Sequence, residues 1–148
     1  MLLKSLLTFT CLTVQVLAQG PTWERLDKNN SLLLILDLQV GLYQLARDFD
    51  HSLYQHNMIA HSAIGKLFDL PVIMSTSAQS GPNGPLPKEI LEMYPDAPLV
   101  RRNGEVNAWD NANFRAAIEA TGKRQVIVAG ITTDVCKLHY QLRTRYSI

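Results

Sequence analysis

The stretch Gln125-Val126-Ile127-Val128-Ala129-Gly130-Ile131-Thr132-Thr133-Asp134-Val135-Cys136 decides the fold. It begins as a short apolar run rich in β-branched residues, the pattern of a strand buried on both faces. Gly130 ends the run. Thr133 or Asp134 is suited to cap a following helix by accepting a bond from one of its free first-turn N–H groups. Cys136 then falls in the first turn of that helix, at the carboxyl edge of a parallel sheet, where open α/β sheets bind their ligands. The positive end of the helix dipole favours a thiolate there. On position alone, Cys136 reads equally as a reactive thiol or as one more small buried apolar side chain.

Working outward, three further short apolar runs match this one. Ser31 to Leu36 is continuously apolar after its first residue and meets an acid, Asp37. It reads as a buried parallel strand. A carboxylate at its end is costly unless bonded, paired or functional, so Asp37 either caps the next turn or faces the cleft. Pro71 to Thr76 gives a second strand, and Ala97 to Arg102 a third that closes on Arg101 and Arg102. Between them, Leu38 to Ala46 is a turn and short helix around Gly41, and Ser52 to Leu70 has a helical apolar period. Ser80 to Pro85 is a turn-rich loop, Lys88 to Tyr94 a short helix stopped by Pro95, and Ala112 to Thr121 a helix capped by Asp110 and closed by Gly122. Strand and helix alternate, which predicts a doubly wound, Rossmann-like α/β fold with a mostly parallel sheet and helices on both faces.

The chain has 148 residues, enough for one domain, with 47% hydrophobic and 18% charged residues and a formal net charge of +1. That balance gives no reason to expect nucleic acid or an anionic membrane as a partner, and a small molecule is the default ligand. Residues 1–18 have the form of a secretory signal: Lys4, a mostly apolar segment from Leu6 to Leu17, and the small residue Ala18. The mature domain would span residues 19–148 and be secreted, with a cytoplasmic chain as the alternative. Cys11 would leave with the signal, so Cys136 would be the only remaining thiol. Asn29-Asn30-Ser31 is an acceptor triplet for N-glycosylation if the chain enters a secretory pathway. His51, His56 and His61 lie five apart, a spacing that scatters them around a helix and argues against a metal site.

Asp37, Arg101 or Arg102, and Cys136 thus stand at the ends of three strands, and those ends converge on one edge of a doubly wound sheet. A base, a cation and a thiol are the parts that covalent hydrolysis needs. Several segments carry a family resemblance. They are Leu34-Ile35-Leu36-Asp37-Leu38-Gln39-Val40-Gly41-Leu42, Gly81-Pro82-Asn83-Gly84-Pro85-Leu86, Pro95-Asp96-Ala97-Pro98, Asn107-Ala108-Trp109-Asp110-Asn111 and Ala129 to Cys136. Through them the chain resembles the isochorismatase-like cysteine hydrolases, most closely the YcaC-type branch.

The resemblance implies roles. Cys136 falls on the family's nucleophile, Asp37 on its general base, and Arg102 on the cation of the triad. Arginine stays charged, so Arg102 would hold the thiolate and not shuttle protons. A cis peptide would fall at Ile131–Thr132, and the N–H groups of Thr132 and Cys136 would form an oxyanion hole. Gln39, Asn107 and Trp109 would line the substrate pocket. No metal or cofactor is implied, and relatives are usually homo-oligomers. The family domain continues for two more strands beyond the nucleophile, so the chain reads as truncated. Its function is expected to be hydrolysis of a small amide or ester, with an inactive fragment or binding module on the same fold as the alternative. A redox role ranks last, since no Cys-x-x-Cys pair is present.

Overall fold

A computed structural model describes residues 25–131. Four strands, β1 (Ser31–Leu36), β2 (Val72–Ser77), β3 (Leu99–Arg102) and β4 (Gln125–Gly130), form one parallel sheet in the order β3-β2-β1-β4. The helices are α1 (Val40–Tyr43), α2 (His51–Ser62), α3 (Ile64–Leu67), α4 (Lys88–Met93) and α5 (Ala112–Ala120). The expected α/β architecture is therefore observed.

β1 is the spine. Leu32 to Leu36 have no exposed surface, and burying each such side chain is worth ~1.5–3 kcal/mol. Strand alternation divides them between two cores. Leu33 and Ile35 pack with Val72, Met74, Met58 and Ile90, under α2 and α4. Leu32, Leu34 and Leu36 pack with Ile73, Phe114 and Ile118, under α5. β4 pairs with β1 through all six residues, from Ser31 opposite Gln125 to Leu36 opposite Gly130. It is half-buried along its length rather than enclosed, because among the described residues only β1 flanks it.

The single helix expected from Ser52 to Leu70 is broken at Ala63. The Tyr94 hydroxyl sits in the break. It donates to Ser62 O and accepts from Lys66 N at 2.9 Å. Those are the carbonyl and amide, four residues apart, that a continuous helix would join directly. Ser62 Oγ adds a bond back to Met58 O at 2.9 Å, a habit of helical serines that bends helices. Gly65 is needed there, since a Cβ would lie 2.7 Å from Tyr94 Oη and 2.5 Å from Val72 Cγ2. The cap expected of Asp110 belongs to its neighbour. Asn111 Oδ1 accepts from Phe114 N at 3.0 Å, while Asp110 closes a 3-10 turn at Ala108–Asp110.

Candidate active site

Strand order reverses between β1 and β4, since successive strands run outward to β3 and the chain then returns to the other side of β1. The carboxyl ends at such a switch point frame a crevice. Asp37 follows β1 there. Its backbone is left-handed, with φ of 55°, and its N–H donates to Ser75 O at 3.0 Å. Aspartate is among the few residues other than glycine that tolerate this conformation, and a strained backbone at a strand end is common where side chains do chemistry.

Arg102 ends β3, with β2 between it and β1. Two strand spacings are about 10 Å, and a long side chain is needed to cross them. Arg102 is 2% exposed, and Arg101 beside it is exposed, as strand alternation requires. On the way across, Arg102 Nε donates to Ser75 Oγ at 2.9 Å. Nη1 donates to Glu105 O, and Nη2 donates to Asp37 Oδ2 in an ion pair with no solvent exposure on either side. A buried ion pair costs desolvation that only good geometry and further hydrogen bonds repay. Ser75 and the Glu105 carbonyl supply them.

The other carboxylate oxygen differs. Asp37 Oδ1 is buried and has no hydrogen-bond partner among the described residues. Beside it, Ile131 N donates to Leu36 O at 3.3 Å, so the described part of the chain ends against the strand end that carries Asp37. Gly130 approaches closely. A Cβ on it would lie 2.9 Å from Leu36 O. A cavity of about 370 Å³ opens at this rim, lined by Leu38, Tyr54, Met58, Ala129 and Gly130 among others.

Gln39 is fully buried, and its amide is engaged by backbone on both sides. Oε1 accepts from Ser77 N at 2.7 Å, and Nε2 donates to Ser77 O at 3.1 Å and to Gly84 O. It pins the Gly81–Pro85 loop beside the strand ends. The same loop is zipped to the start of α1, where Val40 N donates to Pro85 O and Gly41 N to Asn83 O, both at 2.9 Å. A Cβ on Gly41 would stand 2.0 Å from Pro82 O, so only glycine fits. Asn107 and Trp109 lie in the connection after β3. Asn107 is 7% exposed, accepts from Trp109 N at 3.1 Å and donates to Asp110 Oδ1 at 3.2 Å. Thr132 and Cys136, and the peptide between Ile131 and Thr132, lie outside the described residues, as do residues 1–18.

Sequence reasoning missed two supports of Arg102. Ser75 is one, a polar residue inside a buried strand, which is its only signal. Glu105 is the other, and it acts through its carbonyl. Its carboxylate accepts from Asn111 Nδ2 at 2.9 Å and from Gly104 N at 3.2 Å, ties that lead to the cap of α5. Its pKa is lowered, chiefly by the Asn111 bond.

The parallel sheet, its switch point and the segments around the buried pair define the class, and the isochorismatase domain model matches residues 31–143. The chain belongs to the isochorismatase family of hydrolases. It is 46% identical over 112 residues to the probable hydrolase YcaC of Escherichia coli strain K12. That alignment covers 76% of this chain and 54% of the relative, so the chain spans about half the length of that curated protein. The solved structure of the E. coli YcaC gene product, an octameric hydrolase of unknown specificity, superposes with a TM-score of 0.81 at 44% identity, covering 85% of this chain and 62% of that one. YcaC from Pseudomonas aeruginosa, solved with hexane-2,5-diol and covalent acrylamide, gives 0.81 at 46% identity, covering 84% and 62%.

Proposed function

We propose that the chain is a cysteine-dependent hydrolase of a small amide or ester, with Asp37, Arg102 and Cys136 as its triad. The observation that carries the reading is the buried Asp37–Arg102 pair, in which one carboxylate oxygen is held by the guanidinium and the other, Oδ1, has no partner among the described residues. An ionised oxygen left without a donor in a buried site is costly, and a thiol arriving from beyond Ile131 would satisfy it. Five positions separate Ile131 from Cys136, and a chain of that length spans at most about 18 Å. The covalent acrylamide in the P. aeruginosa relative also supports the reading, because acrylamide is an electrophile that thiolates attack.

In the first step Asp37 Oδ1 accepts the Cys136 proton and the sulfur attacks the substrate carbonyl, forming the S–C bond. The N–H groups of Thr132 and Cys136 receive the oxyanion. The C–N or C–O bond then breaks, and the leaving group departs with the proton held by Asp37. Water hydrolyses the thioester, releasing the acid and restoring the thiol. Arg102 keeps its proton throughout and fixes the carboxylate. Gln39 and Asn107 hold the loops that border the pocket, with Trp109 beside them. By analogy with the octameric relative, the working unit is a homo-oligomer, and residues 1–18 deliver it for secretion.

The test is a panel of small amides and esters assayed by turnover and by intact mass. A mass adduct on Cys136 and turnover that Cys136→Ala abolishes are the expected results. Turnover unchanged in Cys136→Ala removes the mechanism. Absence of both adduct and turnover in the native chain favours the inactive module.

A further inference from the structure

We infer that Asn29 is a site of N-linked glycosylation, on the edge of the sheet opposite the candidate active site. Asn29-Asn30-Ser31 is the one Asn-x-Ser/Thr triplet among the 148 residues. The fold leaves its acceptor open. Asn29 is exposed in a 3-10 turn, Lys28–Asn30, that enters β1. Its backbone is fully occupied: the N–H donates to Asp27 Oδ1 at 2.9 Å and the carbonyl accepts from Lys123 Nζ at 2.7 Å. Its carboxamide makes no hydrogen bond among the described residues. Four other asparagines are committed. Asn30 Oδ1 accepts from Arg124 N, Asn83 Nδ2 donates to Ser77 O, Asn107 caps the 3-10 turn Ala108–Asp110 and Asn111 caps α5. The turn therefore holds Asn29 by its backbone alone, and a group added to its side chain displaces no contact.

The third residue of the triplet fixes when the modification occurs. Ser31 is 1% exposed, and its Oγ donates to Asp27 O at 2.7 Å and bonds Gln125 Oε1 at 3.2 Å. In the folded protein a transferase cannot read that hydroxyl. Its partner Gln125 lies 94 residues later in the chain. The triplet thus emerges extended and accessible well before β4 exists to bury it. Transfer takes place on the nascent chain, and folding then hides Ser31 while leaving Asn29 outside. In the step itself the carboxamide nitrogen attacks the anomeric carbon of a lipid-pyrophosphate-linked oligosaccharide. The N–C bond forms, the C–O bond to pyrophosphate breaks, and the amide proton is lost to the transferase base. The glycan stands about 20 Å from Asp37, since the six residues of β1 rise ~3.3 Å each, so it leaves the site edge clear.

The inference rests on residues 1–18 acting as a secretory signal, and the experiment separates that reading from the acceptor itself. The full chain is translated in a cell-free system with endoplasmic-reticulum microsomes, beside Asn29→Gln, and probed with external protease and with peptide-N-glycosidase. The expected result is a protease-protected, slower-migrating band that the glycosidase collapses, leaving an aspartate at position 29 by mass, and that Asn29→Gln lacks. A protected chain with no shift overturns the acceptor assignment. A chain with neither shift nor protection overturns the delivery on which it rests. A shift that persists in Asn29→Gln overturns the site.

Discussion

Replacing Asp37 by Asn removes one charge from the buried pair and little else. The side chain keeps its size, and Asn tolerates the left-handed backbone at φ of 55° as Asp does. The variant leaves the Arg102 guanidinium buried without its counter-ion, while the bonds to Ser75 Oγ and Glu105 O remain. Breaking a buried pair by removing one partner costs ~3–5 kcal/mol, against a total stability of ~5–15 kcal/mol for a domain. At ~3–4 °C per kcal/mol for a chain of this size, the melting temperature should fall by roughly 10–20 °C. Urea titration followed by circular dichroism gives the free energy directly. Arg102→Met and the double variant complete a cycle. Met restores apolar volume, so the double variant should lose less than the two singles together, by at least about 1 kcal/mol. A loss below about 1 kcal/mol in Asp37→Asn, or strict additivity in the double variant, would refute a tightly coupled buried pair.

Three other perturbations test the supports around it. Ser75→Ala removes the acceptor of Arg102 Nε and should cost ~1.5–3 kcal/mol in the same denaturation assay, the range for a bond to a charged group. Gly41→Ala puts a Cβ 2.0 Å from Pro82 O and should lower stability and speed proteolysis within the Gly81–Pro85 loop, since backbone on both sides must move. Glu105 has a lowered pKa in the folded chain, so the unfolded chain binds its proton more readily. Its contribution is therefore present above the ordinary carboxylate value of 4.5 and lost as pH falls below it. Glu105→Gln should flatten the acid limb of a stability profile below that pH and leave the neutral region nearly unchanged.

The sheet was legible because each strand is a local pattern. β1 and β4 are short apolar runs bounded by turn residues, and the structure sets both within the expected bounds. The helix break at Ala63 was not legible, because its cause is a hydroxyl 28 residues from Lys66. The Asp110 cap failed for a smaller reason: Asp110 and Asn111 are both good caps, and only the 3-10 turn before the helix decides between them. Asp37 was visible as an acid closing an apolar strand. Its convergence with Arg102 on one sheet edge was expected from the strand ends and from resemblance, whereas their direct ion pair across β2 and the part played by Ser75 required tertiary geometry. Gln39 was expected at the pocket from resemblance. Its amide holds Ser77 and Gly84 instead of facing open space, a task that no local pattern announces.

The most direct measurement is the pH dependence of Cys136 alkylation by iodoacetamide, in the native chain and in Arg102→Met. A sulfur seated against Oδ1 of the Asp37–Arg102 pair should label half-maximally well below the ~8.5 of a free thiol, and the midpoint should rise in the variant, where the carboxylate loses its counter-ion. A midpoint near 8.5 in both chains, or a sulfur that reacts only after unfolding, would contradict the triad.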